Sequence, residues 1–421
     1  MTSLSFDWRL TRLPNGMRLL TIVRPSTPTV AVRVYVRAGS RYDTPPHLGL
    51  AHLTEHMLFK GTRARSQREV FAAVERLGGV LDAGTTKEYV TLYAVTPSEA
   101  VATAIDILAE VLIEPALREE DFWNEKLVVL EEIRRAEDQQ SVVFDLFAET
   151  LWQKHPLRGR MRGTLEGLYQ LQYDDLCSFF HRRYVTHNVL LAVCGDINHE
   201  QVERMAASSF GALHNGPEAP PQPVDELPLA ERRAAHLEKG VHLTCLLIGV
   251  PSVSMKHEDR SALRVMERVL GLGGSARLYQ RLREETQLVY SVNTVTAHYE
   301  DVGYFAVQAV CDPRNLGRVR DAVLQEWDKL RVHGVTEDEL NTAKSNYAGA
   351  QALRVETNLA LASMYGIGGL LHRIETVEEA VARINAVQAD DLLRVAQQYL
   401  DLQKHVAVTV GRTQGEATAA T

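Results

Sequence analysis

The chain has 421 residues, 45% of them hydrophobic and 24% charged, with a net charge of −8 and a pI near 6.0. That length is enough for two domains with good cores. The acidic balance argues against a nucleic-acid or anionic-membrane surface, and no run of about 18 apolar residues is present to span a bilayer.

The N-terminus, Met1 to Arg9, lacks the basic start and apolar core of a secretory signal, and no Arg/Ser-rich transit segment precedes the first strand. The four cysteines, Cys177, Cys194, Cys245 and Cys311, are scattered without a Cys-x-x-Cys pair, as expected of buried thiols in a reducing compartment. A cytoplasmic location follows as the expectation.

A β-rich run from Thr29 to Ala38 leads toward a helix that contains His52-Leu53-Thr54-Glu55-His56. Two imidazoles four residues apart share one helix face, and the carboxylate beside the second points into the same space. With 15 His and 54 acidic residues, a shuffled chain would contain this pattern only roughly 0.07 times. A helix with two satisfied structural histidines is the alternative. Tyr89 to Val95 alternates as a strand, and Ser98 to Leu112 follows as a helix.

An open tetrahedral zinc centre needs a third protein ligand, and the next helix, Phe122 to Arg135, offers one. Phe122, Val129, Ile133 and Ala136 form its apolar stripe, blurred by Leu127 and Val128. At 100° per residue Glu125 and Glu132 lie together along one edge of that stripe, whereas Glu131 points almost opposite. Glu132 is thus the better ligand candidate and Glu131 the better solvated residue. The alternative for both edge carboxylates is an ordinary amphipathic border paired with Arg135 or Lys126.

His214 to Pro223 is rich in Pro and Gly, which places a boundary there: residues 1–214 as a metal-binding domain, 215–228 as a linker and 229–421 as a second domain. The halves look like distant repeats. Val241 to Val250 matches Thr29 to Ala38, Gly303 to Val310 matches Tyr89 to Val95, and the helix Asn315 to Leu330 matches Ser98 to Leu112. Ser261 to Glu267, at the place of the first-half His helix, has no His. Strands and helices do not alternate regularly, so the expected fold class is α+β: two similar domains, each a largely antiparallel sheet covered by helices on one face. Gly271-Leu272-Gly273-Gly274 follows a helical pattern and has no Gly-Lys-Ser/Thr, so it reads as a loop and not as a phosphate site.

The inverted order His-x-x-Glu-His, with Glu132 following 76 residues after His56, resembles the inverzincin peptidases, the family of pitrilysin, insulysin and the mitochondrial processing peptidase. Ala38-Gly39-Ser40-Arg41, Gly49-Leu50-Ala51, Met57 to Thr62, His155-Pro156-Leu157, Gly163-Thr164, Tyr184 and Asn188 look like the same family. The resemblance implies a peptidase with Zn²⁺ held by His52, His56 and Glu132, Glu55 as general base, and Glu125 supporting the site from behind. It also implies that Arg283 and Tyr290 close over the substrate. By themselves these two read as a surface cation and a half-buried aromatic. Where the family usually has Asn-Ala on a substrate-pairing edge strand, this chain has Asp82-Ala83, and Asp accepts but does not donate a hydrogen bond.

Long members of the family join four such units, and this chain has two, so the resemblance implies a second subunit: a homodimer, or a heterodimer with a metal-free paralogue. The expected partner is otherwise a peptide substrate, with no nucleic acid and no membrane. A different class of reading is a non-catalytic assembly subunit like the family members in a respiratory-complex core, which typically have degraded zinc motifs.

Overall fold

The Val-rich runs form the central strands of two sheets, as their β-branched side chains favour. The computed structural model describes residues 5–135 and 139–412. The first sheet contains β1 (Asp7–Arg12), β2 (Arg18–Val23), β3 (Thr29–Val36), β4 (Val80–Thr85), β5 (Val90–Pro97) and β6 (Val189–Gly195). The second contains β7 (Arg233–Glu238), β8 (Thr244–Ser252), β9 (Val289–His298), β10 (Gly303–Cys311) and β11 (Val406–Gly411). Their spatial orders are β1-β2-β6-β3-β5-β4 and β7-β11-β8-β10-β9. Only β2 with β6 and β7 with β11 run parallel; the other neighbours are antiparallel. In each half the last strand inserts between earlier ones and leaves an equivalent free edge, β4 in the first sheet and β9 in the second.

The first half adds α1 (Leu50–Leu58), α2 (Gln67–Glu75), α3 (Val101–Ile113), α4 (Glu119–Arg134), α5 (Gln139–Leu151), α6 (Leu165–Gln170), α7 (Tyr173–Arg183) and α8 (His199–Ser209). The second adds α9 (Arg260–Gly271), α10 (Arg277–Tyr279), α11 (Leu316–His333), α12 (Glu337–Arg354), α13 (Asn358–Leu370), α14 (Val377–Ala386) and α15 (Ala389–Tyr399). The helix expected from Ser98 begins as a short 3₁₀ turn, Ser98–Ala100, ahead of α3. Among the described residues, no helix is long and apolar enough to cross a membrane. None of the four cysteines forms a disulfide among the described residues, and Cys194, Cys245 and Cys311 are buried.

On β3, Val30, Val32, Val34 and Val36 alternate onto one face and are fully buried in a core with Leu53 and Met57 of α1 and Ile105 and Leu108 of α3. Each such side chain contributes on the order of 1.5–3 kcal/mol by leaving water. Helices on one face are thus present as expected, but the opposite face of each sheet is also covered, by a helix from the other half of the sequence. On the first sheet, α13 packs against β3 and β6; Gly366 permits this, since a Cβ there would overlap the Tyr35 ring. On the second, Val143 and Phe147 of α5 share a core with Leu247, Val406 and Val408. The compact units therefore differ from a simple cut at the 215–228 connector: residues 139–158 belong with the second sheet and 352–378 with the first. Without this exchange, each sheet would leave an apolar face in water.

His298, at the end of β9, donates Nδ1–H to the Val253 carbonyl at 2.9 Å. Burial lowers its pKa to about 4, the carbonyl bond acts the other way, and the charges of Arg264 and Arg260 add to the lowering. The folded protein thus takes up this proton near pH 4 and the unfolded chain near 6.5, so stability is lost as pH falls through that window. The linkage is worth about 2 kcal/mol between pH 7 and pH 5. Relative to wild type, the melting temperature of His298→Asn should therefore rise by roughly 4–8 °C over that interval; a difference that does not change with pH would refute the assignment.

Candidate metal centre

Leu50, Leu53, Met57 and Leu58 bury one side of α1, which turns His52, Glu55 and His56 toward the remaining side. Their side chains are only 11%, 13% and 18% exposed. On α4, Phe122, Val129 and Leu130 are buried, while Leu127 and Val128, which blurred the pattern, are exposed. Ala136 of the expected stripe lies outside the described residues. Glu131 points to solvent, where it accepts from Arg134 at 2.7 Å.

Packing of α1 against α4 brings the histidines and Glu132 together. One ligand atom from each of His52, His56 and Glu132 lies within 4.8 Å of the others. Nε2 of His52 is 3.1 Å from one Glu132 oxygen, and Nε2 of His56 is 3.9 Å from the other. Donors about 2 Å from a common tetrahedral centre stand roughly 3.3 Å apart, and the two His–Glu132 separations bracket that spacing. His56 has its second nitrogen occupied: Nδ1 lies 3.1 Å from Glu125, whose other oxygen takes Lys60 at 2.5 Å. A carboxylate behind a ligating imidazole fixes the ring and its tautomer. Glu125 thus pairs with Lys60 and not with Lys126, which instead donates to the Tyr169 and Leu171 carbonyls.

The electrostatics also suit a dication. Burial opposes the charged form of His52, but bonds and charges from Glu132 and Glu55 outweigh it and raise its pKa to about 9. The His52 bond holds the Glu132 carboxyl below the usual range. Burial pushes Glu125 upward, and the His56 and Lys60 bonds more than reverse that. Glu55 stands outside the donor trio, 3.6 Å from His52 Nδ1, and accepts from the Thr85 hydroxyl on β4 at 2.9 Å.

Asp82 and Ala83 occupy the free edge of the first sheet. One Asp82 oxygen accepts the Ala83 N–H at 2.8 Å and the other accepts the Tyr93 hydroxyl at 2.9 Å, so the Ala83 N–H is engaged by its own neighbour. Arg283 and Tyr290 belong to the other compact unit. Arg283 sits in a π-helical turn, Gln280–Glu285, a distortion common at functional sites, and donates to the Val289 carbonyl at 2.8 Å. Tyr290, on β9, is 64% exposed.

Lys60 and Thr85 were not anticipated from sequence. Thr85 lies 30 residues from Glu55, and Lys60 lies past the end of α1, so no helical period links either to its partner.

The family description "Insulinase (Peptidase family M16)" matches residues 18–165, and "Peptidase M16 inactive domain" matches residues 170–347. A Streptomyces coelicolor protein named as an uncharacterized zinc protease is 33% identical over 95% of this chain and 89% of its own length. The mitochondrial-processing peptidase subunit beta of Bos taurus is 29% identical over 96% of this chain and 84% of its own. Among solved structures, a protease from Helicobacter pylori has the same fold, with a TM-score of 0.91 and 24% identity over 97% of this chain and 100% of that one. With both family regions matched in order along one chain, the protein belongs to peptidase family M16, the insulinase family of zinc peptidases.

Proposed function

We propose that this protein is a zinc-dependent endopeptidase that hydrolyses peptides or unfolded segments inside a chamber formed by a homodimer. The observation that carries this reading is the meeting of His52, His56 and Glu132 within 4.8 Å, with Glu55 beside them. Those three residues would hold the ion, with Glu125 orienting His56. When bound, zinc supplies Lewis acidity and lowers the pKa of water in the site. Glu55 takes the proton of the attacking water and delivers it to the leaving amine, while the Thr85 hydroxyl orients its carboxylate.

An extended peptide would add to the free edge of β4. In that register the Ala83 main chain pairs with substrate, and the Asp82 carboxylate must release the Ala83 N–H. Tyr290 of the partner subunit would donate to the developing oxyanion, and Arg283 of the partner subunit would align the peptide. Both sets of residues are present in one chain, which favours a homodimer; the bovine relative is itself named as a subunit, and pairing with a metal-free paralogue is the variant of this reading. A purely structural role fits less well, because His52, Glu55, His56 and Glu132 are all retained.

The test is mass spectrometry of a peptide library digested by the purified protein. Cleavage should be abolished by a chelator and restored by zinc. Intact peptides with every divalent metal supplied would overturn the reading.

A further inference from the structure

We infer that Asp43, a residue outside every helix and strand of the fold, is a positioning residue for the metal centre: it caps the N-terminus of α1 and holds the turn that carries His52. The inference rests on the reading that His52, His56 and Glu132 bind a metal ion.

A helix leaves its first N–H groups without intrahelical partners, and a side chain at the N-cap normally supplies one. In α1 the N-cap is Gly49, which has no side chain and sits at φ 100°, with no cap bond of its own. Gly49 is required there: a Cβ would lie 2.8 Å from the Arg162 carbonyl oxygen and 2.8 Å from Leu168 Cδ2. The missing acceptor comes from Asp43. One carboxylate oxygen accepts the Gly49 N–H at 2.8 Å and the other accepts the Ala51 N–H at 2.9 Å. Asp43 is only 6% exposed, and burial pushes its pKa up to about 7 against the opposing pull of those main-chain bonds. Burial thus works against the ionised side chain, and the main-chain N–H bonds are what favour it.

His52 directly follows Ala51, in the first turn of α1, whereas His56 lies one turn farther in. Loss of the cap loosens the first turn before the second, so the effect reaches the metal through His52.

The experiment compares zinc dissociation constants, measured by chelator competition, for wild type, Asp43→Asn and Ser66→Ala. Ser66 is the matched control: it caps α2, accepting the Glu69 N–H while Glu69 accepts the Ser66 N–H, and α2 carries no donor. Asp43→Asn should weaken zinc binding roughly tenfold or more, the range for outer residues of metal sites, and raising zinc to saturation should return its kcat to near wild type. Ser66→Ala should lower the melting temperature and leave zinc affinity within about twofold. If Asp43→Asn does not fold, Asp43→Ser, which keeps one acceptor of shorter reach, should weaken zinc binding by roughly tenfold or more in the same assay. Unchanged zinc affinity in the Asp43 variant, or an equal loss in Ser66→Ala, would overturn the inference. Absence of zinc binding by the wild-type protein would instead sink the metal reading beneath it.

Discussion

Replacing Glu55 with Gln is expected to slow peptide hydrolysis by about 10²–10⁴-fold while leaving zinc bound at wild-type stoichiometry. The substitution keeps the shape of the side chain and lets its carbonyl oxygen continue to accept from Thr85, 2.9 Å away in the native protein. What it removes is the capacity to take a proton, since an amide is not basic near neutral pH. Zinc should stay because Glu55 is not one of the three converging donors. Single-turnover cleavage of an unstructured peptide, with metal content measured on the same sample, separates the two roles. A variant that turns over within tenfold of wild type would exclude Glu55 as the base, and one that loses zinc would make it a ligand.

Glu132→Gln should have the opposite signature, with zinc affinity and activity falling together. Changing a residue that only supports a metal ligand typically weakens affinity 10–100-fold, so loss of an anionic ligand from a set of three should exceed about 100-fold. The neighbouring Glu131 is the internal control, because its carboxylate faces solvent and pairs with Arg134. Glu131→Gln should bind zinc and cleave as wild type does. The ligand assignment fails if Glu132→Gln retains its metal in a chelator titration, or if Glu131→Gln loses it equally.

The different legibility of these residues has a physical basis. The convergence of His52 and His56 depends only on helical geometry, which places residues four apart on one face. The choice of Glu132 over Glu131 needed only the 100° rotation per residue and the apolar pattern of α4. Lys60, Thr85 and the Asp43 cap have no such local signature: each comes from a loop or strand whose approach to α1 is decided by packing. Asp82 is an intermediate case, since its departure from the family pattern was visible but its bond to the Ala83 N–H was not.

Sequence alone determined several of the elements in each half, the expectation of two similar α+β halves, and the pairing of the two imidazoles with a carboxylate on the edge of the next helix, where the family resemblance singled out Glu132. Those properties follow from periodicity and from side-chain chemistry, both of which act over a few residues. The tertiary structure decided which sheet each amphipathic helix covers. An apolar stripe states that a face must be buried but not against what, so the placement of α5 on the second sheet and α13 on the first was settled only by the long-range fit of Phe147 among Leu247 and Val408 and of Gly366 over Tyr35.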